Sequence, residues 1–329
     1  MTAEYDQQQE KRLTFLGQIV KGKSGSVWIW TIIIGAVFLG TGYLLLFAGL
    51  PGAEEIKSYQ PPSTVKPDHI NWNKRTTNPI RLWVPIQRIS PLLQKAVIIS
   101  EDDTFYQHDG INYEMMKEAF RVNLEKGRYV RGASTITMQL ARNAFLHKRK
   151  TLLRKIRELI LARRLEKNLS KRRILELYLN VVEWGEGIYG AEAASRYYFG
   201  KSAAHLNLAE ATLLASMLPN PKYFDPFKRL KSVQRMQKRV VWLMENAREI
   251  NPEQAQWALT GISLRGGISP QEIGTTTVDS LEEAKYLEPL PMETPPSPLP
   301  HTPKPVLSDS LAFPDTSAVS DSSAVIPQE

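Results

Sequence analysis

Apolar positions along the chain follow two patterns. From Val27 to Leu50 the sequence VWIWTIIIGAVFLGTGYLLLFAGL runs for 24 residues without a charge and stops at Pro51-Gly52. At about 1.5 Å of rise per residue, such a helix crosses a hydrocarbon core of roughly 30 Å with some tilt. From Ile80 to Ile250 apolar residues instead recur at helical spacing, as in Tyr113 to Leu124, Thr151 to Leu165, Lys171 to Val182, Leu208 to Met217 and Ser232 to Arg248. Each such segment can bury one face and solvate the other. Strand-like alternation is scarce, so the fold is expected to be mainly α.

The flanks of the apolar run set an orientation. Residues 1–26 are polar, with Lys11, Arg12, Lys21 and Lys23 before the span and Glu54 and Glu55 after it. Basic residues stay on the cytoplasmic side, so the N-terminus is expected inside and everything from Pro51 onward outside. A cleaved signal peptide would have a shorter apolar region nearer the N-terminus, and no small-residue cleavage pattern follows directly, so 27–50 reads as a retained anchor. Residues 51–78, rich in Pro, Ser, Asn and Thr, read as a stalk, and 79–250 as the folded domain. Residues 251–329 read as a low-complexity tail. A helix and a glycine-containing turn fit its first twenty positions, but from Pro289 on there are ten prolines among Ser, Thr and acidic residues. Such a segment buries too little apolar surface to offset its chain entropy and is expected to be disordered.

Charge narrows the function. The chain carries 42 Lys+Arg against 34 Asp+Glu, a net +8, and between Glu101 and Ile250 alone there are 28 basic and 17 acidic residues. That surplus of +11 calls for an anionic partner: nucleic acid, phosphate groups or a membrane surface. Cysteine is absent, which excludes disulfides and thiolate metal sites. The histidines are too scattered for metal-ligand spacing, and no G-x-S-x-G or S-x-x-K marks a serine nucleophile. Gly185-Glu-Gly-Ile-Tyr-Gly190 formally matches G-x-G-x-x-G, but a helical pattern precedes it and no βαβ unit surrounds it, so dinucleotide binding is rejected.

Four stretches have the composition of a site. Glu101-Asp-Asp-Thr-Phe-Tyr-Gln-His-Asp-Gly110 follows the apolar run from Leu93 to Ser100. A carboxylate where a packed element meets a loop can be held, partly desolvated and still reach a substrate, although an acidic triplet there can equally be a solvated turn. In Arg131-Gly-Ala-Ser-Thr-Ile-Thr-Met-Gln-Leu-Ala-Arg-Asn143, Gly132 permits close approach and Ser134 or Thr135 can cap a helix whose free N–H groups attract anions. Arg154-Lys-Ile-Arg-Glu158 lies in a run from Arg142 to Arg173 with 13 basic residues and only Glu158 and Glu166 acidic. Its base-before-acid order is the weaker one for helix support. The run lacks interleaved aromatics that would stack bases, and with a membrane anchor upstream a nucleic-acid partner is not expected. In Lys171-Arg-Arg-Ile-Leu-Glu-Leu-Tyr-Leu-Asn180, the residues Ile174, Leu175, Tyr178 and Leu179 share one face and read mostly as core.

Together these stretches resemble the peptidoglycan glycosyltransferase family (glycosyltransferase family 51), in its monofunctional, membrane-anchored form. The first fits the family's E-D-x-x-F-x-x-H-x-G. Gly132 to Gln139 fits G-x-S-T-I-T/S-Q-Q with Met138 for the first Gln, Arg154 to Glu158 fits R-K-x-x-E, and Lys171 to Asn180 fits K-x-x-I-L-x-x-Y-L-N. Trp184 to Glu192 with Tyr198-Phe-Gly-Lys201, and then Leu218-Pro-Asn-Pro221, complete the series. Arg142 stands where a Lys is usual, and the family's last arginine falls on either Arg235 or Arg239.

The resemblance implies a lysozyme-like, two-lobed helical glycosyltransferase domain behind one transmembrane helix. It also implies polymerisation of lipid II, the 4-hydroxyl of one N-acetylglucosamine attacking the anomeric carbon of a lipid-linked glycan and undecaprenyl pyrophosphate leaving with inversion. Glu101 is then the expected base, with Asp102 as its support and Asp103 replaceable, and Glu158 is the second catalytic carboxylate. Substrate contacts are expected from Asp102, Phe105, His108, Gly132, Ser134, Thr135, Gln139, Arg142, Arg154, Lys155 and Asn180. Glu158 would either orient the cations or hold a divalent cation (Mg2+ or Mn2+) beside the pyrophosphate; no organic cofactor is expected. Expected partners are lipid II and lipid-linked glycan, membrane lipid met through an apolar patch at Met115 to Phe120 or Ala144 to Leu146, and other cell-wall synthesis or division proteins. The place implied is the bacterial cytoplasmic (inner) membrane with the domain in the periplasm. Two rival classes remain: a lytic muramidase, which releases no pyrophosphate and has no use for the basic run, and a non-catalytic envelope scaffold.

Overall fold

A computed structural model describes residues 28–63, 70, 72, 78–128, 132–147, 149 and 151–266. The polar N-terminal segment through Val27, much of the expected stalk and the tail from 267 to 329 lie outside these. The first helix, α1 (Trp28–Phe47), has mean hydropathy 2.1 and is long and apolar enough to span a membrane. Most of its side chains are exposed, Phe38 at 79%, while Phe47 at its end lies half-buried beneath Arg164.

Polar residues that accept the free N–H groups of a first turn start most of the remaining helices. Asn112 accepts from Met115 N ahead of α4 (Tyr113–Glu125), and Thr135 from Met138 N ahead of α5 (Ile136–Phe145). Thr151 and Ser170 do the same for α6 (Leu152–Asn168) and α7 (Lys171–Val181). Asn207 and Glu210 form a reciprocal capping box on α9 (Leu208–Met217), as do Asn251 and Gln254 on α11 (Pro252–Thr260). Helix α3 (Pro91–Glu101) starts on a proline, and α8 (Ala191–Phe199) stops at Gly200, which takes a left-handed φ of 74°.

The helices pack in two groups. All ten residues of α9 are buried, and α3, α10 (Pro226–Asn246) and α11 pack around it. In the second group α5 packs on both α6 and α7. Three short strands join the groups, in the order β1 (Ile80–Arg81), β3 (Ile188–Tyr189), β2 (Glu183–Gly185), with Ile80 beside Ile188 in the parallel pair. The mainly helical, two-lobed expectation therefore holds, with one small sheet added. Gly190 follows that sheet at φ 89° and ψ 148°, where a Cβ would stand 2.9 Å from Leu82 O and 3.0 Å from Asn180 O. Gly190→Ala is expected to destabilise the domain by at least about 2 kcal/mol, combining a glycine-only backbone region with a backbone clash. Urea unfolding of the detergent-solubilised protein measures the loss.

The expected boundaries shift at both ends. The region read as a stalk contains α2 (Ala53–Ser58), whose Ile56 is 1% exposed and joins the main core. Basic side chains clamp the same region. Arg157 donates to Ala48 O (2.8 Å), Arg164 to Pro51 O (3.2 Å) and Arg173 to Tyr59 O (2.9 Å). The chain leaving α1 is thus docked directly on α6 and α7. At the other end α11 packs on α9 and α10, Ile262 and Leu264 are buried, and Arg265 Nε donates to Tyr197 O (3.1 Å). Folded structure accordingly continues to residue 266.

Candidate active site

Helix α3 buries Leu93, Ala96 and Val97, which fixes its half-buried C-terminal residue, Glu101, against the core. Helical geometry ends at Asp102, so the Glu101 carboxylate projects from a rigid element rather than a loop. Its Oε2 accepts a 2.7 Å hydrogen bond from Gln139 Nε2 on α5. Burial pushes the Glu101 carboxyl above its ordinary value of 4.5. The Gln139 bond and the positive charges of Arg142 and Arg239 pull it back down, while the charge of Asp102 raises it.

Asp102, His108, Phe105 and Thr135 were expected at the substrate but form the frame behind Glu101. Asp102 is 1% exposed; its Oδ2 accepts from Ile136 N (3.0 Å) at the start of α5, and its Oδ1 pairs with His108 Nε2 (2.9 Å). Gly110 N donates to His108 Nδ1 (3.1 Å), which leaves the imidazole proton on Nε2 facing Asp102. Thr135 Oγ1 donates to Gly110 O (2.7 Å). Gly110 has φ 85°, and a Cβ there would lie 3.0 Å from Ala162 O, so the motif's glycine is a close approach to α6. Phe105 is fully buried, with Lys171 Nζ 4.5 Å from its ring centre. These contacts tie the 102–110 loop to α5 and set the distance between Glu101 and Gln139. Asn180 also belongs to the frame: its Oδ1 accepts from Val84 N, and its Nδ2 donates to Val84 O and Glu176 O, all at 2.8–2.9 Å.

The cationic half of the site lies where α6 meets the start of α5. Glu158 is fully buried, its Oε1 paired with Lys155 Nζ (2.7 Å) and its Oε2 with Arg154 (3.2 Å). Lys155 also donates to Ser134 Oγ (2.9 Å), one residue before the Thr135 cap, and Gly132 lies exposed just upstream. Lys155, at 37% side-chain exposure, is therefore held at the N-terminus of α5 and still open to solvent. Two cations against one carboxylate leave a net positive charge here, with the Lys155 ammonium open to an anion.

A divalent cation does not suit these residues. Both Glu158 oxygens already face cations, and no group of three or more His, Asp or Glu gathers among the described residues. Magnesium is held by one or two carboxylates with a free oxygen each, in addition to phosphate oxygens. Glu158 is accordingly a positioning residue for Lys155 and Arg154.

Three further placements refine the sequence reading. Met138 is 0% exposed and faces the packed side of α5, so the departure from the paired-Gln motif changes no exposed group. Arg239 is the α10 arginine whose charge acts on Glu101, whereas Arg235 donates to Ser232 Oγ (3.4 Å). Tyr178, read as core, is buried and donates through Oη to Gln139 Oε1 (3.1 Å). Its place in the Y-L-N motif, two positions before Asn180, was the one available signal. Of the two expected apolar patches, Ala144 to Leu146 packs on the core, whereas Phe120 is 70% exposed. Tyr113 and Leu124 of α4 and Leu152 of α6 are exposed as well.

A family model described as Transglycosylase matches residues 69–246, more than half of the chain. This chain belongs to the transglycosylase family. The matched region runs to the last residue of α10, so α2 and α11 are packed additions on either side of the family's segment. Among similar proteins, the biosynthetic peptidoglycan transglycosylase of Chromobacterium violaceum is 49% identical over 153 residues, covering 46% of this chain and 67% of the relative. That of Methylobacillus flagellatus is 46% identical over 151 residues, 46% of this chain and 66% of its own. The Bordetella avium protein of the same name is 52% identical over 147 residues, 44% of this chain and 61% of its own. The aligned stretch thus spans about two thirds or less of each relative's length. The motifs from Glu101 to Asn180 all fall in the matched region.

Proposed function

We propose that this protein is a membrane-anchored peptidoglycan glycosyltransferase that polymerises lipid II into glycan strands. The observation that carries the reading is that one helix, α5, ties together a hydrogen-bonded carboxylate at Glu101, through Gln139, and cations ordered by buried Glu158, through Ser134 just ahead of it. An alcohol is a weak nucleophile, so its attack requires a base at its proton. Glu101 accepts the proton of the acceptor's 4-hydroxyl as that oxygen bonds to the donor's anomeric carbon. The bond from that carbon to the pyrophosphate oxygen breaks, and its electron pair leaves with undecaprenyl pyrophosphate. Attack from the face opposite the leaving group inverts the centre. Lys155 and Arg154 meet the charge that develops there, already oriented by Glu158 and so without reorganisation at the moment of reaction.

The anchor and the exposed apolar side chains of α4 and α6 suit a substrate held in a bilayer. The reading places α1 once across the bacterial cytoplasmic membrane, N-terminus inside and domain in the periplasm, with other cell-wall synthesis or division proteins as its partners. The purified protein in detergent or lipid, given lipid II or intact sacculi, tests the activity. Polymer from lipid II is the expected result. Solubilised fragments from sacculi would instead identify a muramidase, and neither product would identify a scaffold.

A further inference from the structure

Tyr178 is a fully buried phenol whose hydroxyl reaches toward Glu101 through one intermediary. Its Oη donates to Gln139 Oε1 (3.1 Å), and Gln139 Nε2 donates to Glu101 Oε2 (2.7 Å), so three residues from α7, α5 and α3 form a single chain of hydrogen bonds. We propose that Tyr178 is a positioning residue that, by fixing which end of the Gln139 amide faces Glu101, holds that carboxyl in the ionised, proton-accepting form. This rests on the reading of Glu101 as the base.

A primary amide offers a donor at one end and an acceptor at the other, and the two ends occupy nearly the same space. Gln139, only 9% exposed, could therefore point its NH2 group or its oxygen at Glu101. The NH2 group suits an ionised carboxylate, whereas the oxygen suits a protonated one. Tyr178 breaks this symmetry. Among the described residues Gln139 Oε1 is the acceptor that its O–H finds. Turning the amide over would leave that buried O–H without an acceptor, and a buried donor left unpaired carries the full penalty of its desolvation. Tyr178 also stays a hydroxyl: burial and the neighbouring charge of Glu101 raise its pKa well above the ordinary value of 10.0. The other charged groups that bear on Glu101 are Arg142 on α5, Arg239 on α10 and adjacent Asp102, and none of them selects the amide's orientation.

Tyr178→Phe keeps the ring and removes only the hydroxyl. The expected result is a pH-dependent defect in lipid II polymerisation. kcat/KM drops by about five-fold on the acid side of the optimum, the equivalent of one ordinary hydrogen bond, and by less than about two-fold on the alkaline plateau, where Glu101 ionises regardless. Gln139→Met should give the same acid-side loss, and the double variant no more than either alone, because the two substitutions break one chain. An equal loss at every pH in Tyr178→Phe would mark Tyr178 as a packing residue and overturn the proposal. If Tyr178→Phe fails to fold, Gln139→Met alone decides, with an unchanged acid limb refuting the relay. A carbon-13 titration of the Glu101 carboxyl in Tyr178→Phe separates this proposal from the base assignment. Unchanged titration refutes the relay even if Glu101 is the base, whereas a raised midpoint supports the relay even if turnover shows that it is not.

Discussion

Glu101→Gln abolishes glycan polymerisation, with kcat expected to fall by about 10²–10⁴-fold, the range that removal of a positioned general base produces. The substitution is nearly isosteric and keeps an oxygen able to accept from Gln139, so Asp102, His108 and the 102–110 loop have no reason to move. KM for lipid II should change little, because the cations proposed to hold the pyrophosphate are tied to Glu158 and Ser134 and not to Glu101. The pH profile of the native enzyme belongs to the same prediction. A base must be ionised, and burial holds the Glu101 carboxyl above 4.5, so the acid limb of kcat/KM lies above the pH of an ordinary glutamate. The sign for stability is the opposite of that for activity. A carboxyl whose folded-state pKa is raised favours folding most below its unfolded value, and that contribution disappears as pH rises through the folded one. At neutral pH the native enzyme therefore holds a carboxylate at a cost to folding. Glu101→Gln should melt at or above the native temperature at pH 7, and the difference should narrow as pH falls toward 4.5. A variant that polymerised lipid II at the native rate would remove Glu101 from the chemistry.

Lys155→Ala is the second large effect. Its ammonium is the most open cation of the cluster and is fixed by two partners, Glu158 Oε1 and Ser134 Oγ. Removing one preorganised charge from a developing anion costs about 10²–10³-fold in kcat by analogy with a lost oxyanion donor. Because the pyrophosphate is already anionic in the bound substrate, KM should rise too, unlike in Glu101→Gln. Lys155→Arg should restore only part of the rate: the guanidinium keeps the charge but presents a planar fork in place of a compact point charge. The companion change, Glu158→Gln, leaves Arg154 and Lys155 facing each other without their counter-charge. Breaking a buried pair costs about 3 kcal/mol at the low end, and solvent at Lys155 lowers that further. Steady-state kinetics with lipid II at varied concentration, alongside thermal melts, separate the two effects. Lys155→Ala turnover within two-fold of native would mean that the leaving group is stabilised elsewhere.

Physical range explains which parts of the site were legible in the sequence. Glu101, Arg154, Lys155 and Glu158 could be read because their relations are local. The last three share one helical face at spacings of three and four, and Glu101 follows directly on an apolar helix that must be packed. Asp102, His108 and Asn180 carry the same motif signal, but the bonds that make them part of the frame were not legible. Their partners lie far along the chain, at Ile136 N and at Val84, and no spacing rule announces such a bond. The choice between Arg235 and Arg239 is likewise a matter of where α10 crosses α3, which one strand of sequence does not encode locally. The stalk was misjudged because composition averages over a segment. A single Ile56 buried among Pro and Ser is enough to dock it, with Arg157 and Arg164 supplied from α6.

By itself the sequence determined the helical fold, the spanning segment, the family and the residue types of the chemistry, because periodicity, a run of uncharged residues and short motifs are properties of neighbours along the chain. Only the tertiary structure decided how those residues divide the work. It buried Met138, turned Gln139 toward Glu101, set Glu158 between two cations, and placed Tyr178 behind Gln139. Each of those outcomes depends on which groups burial leaves facing one another, and that is settled when α3, α5, α6 and α7 close on a common core.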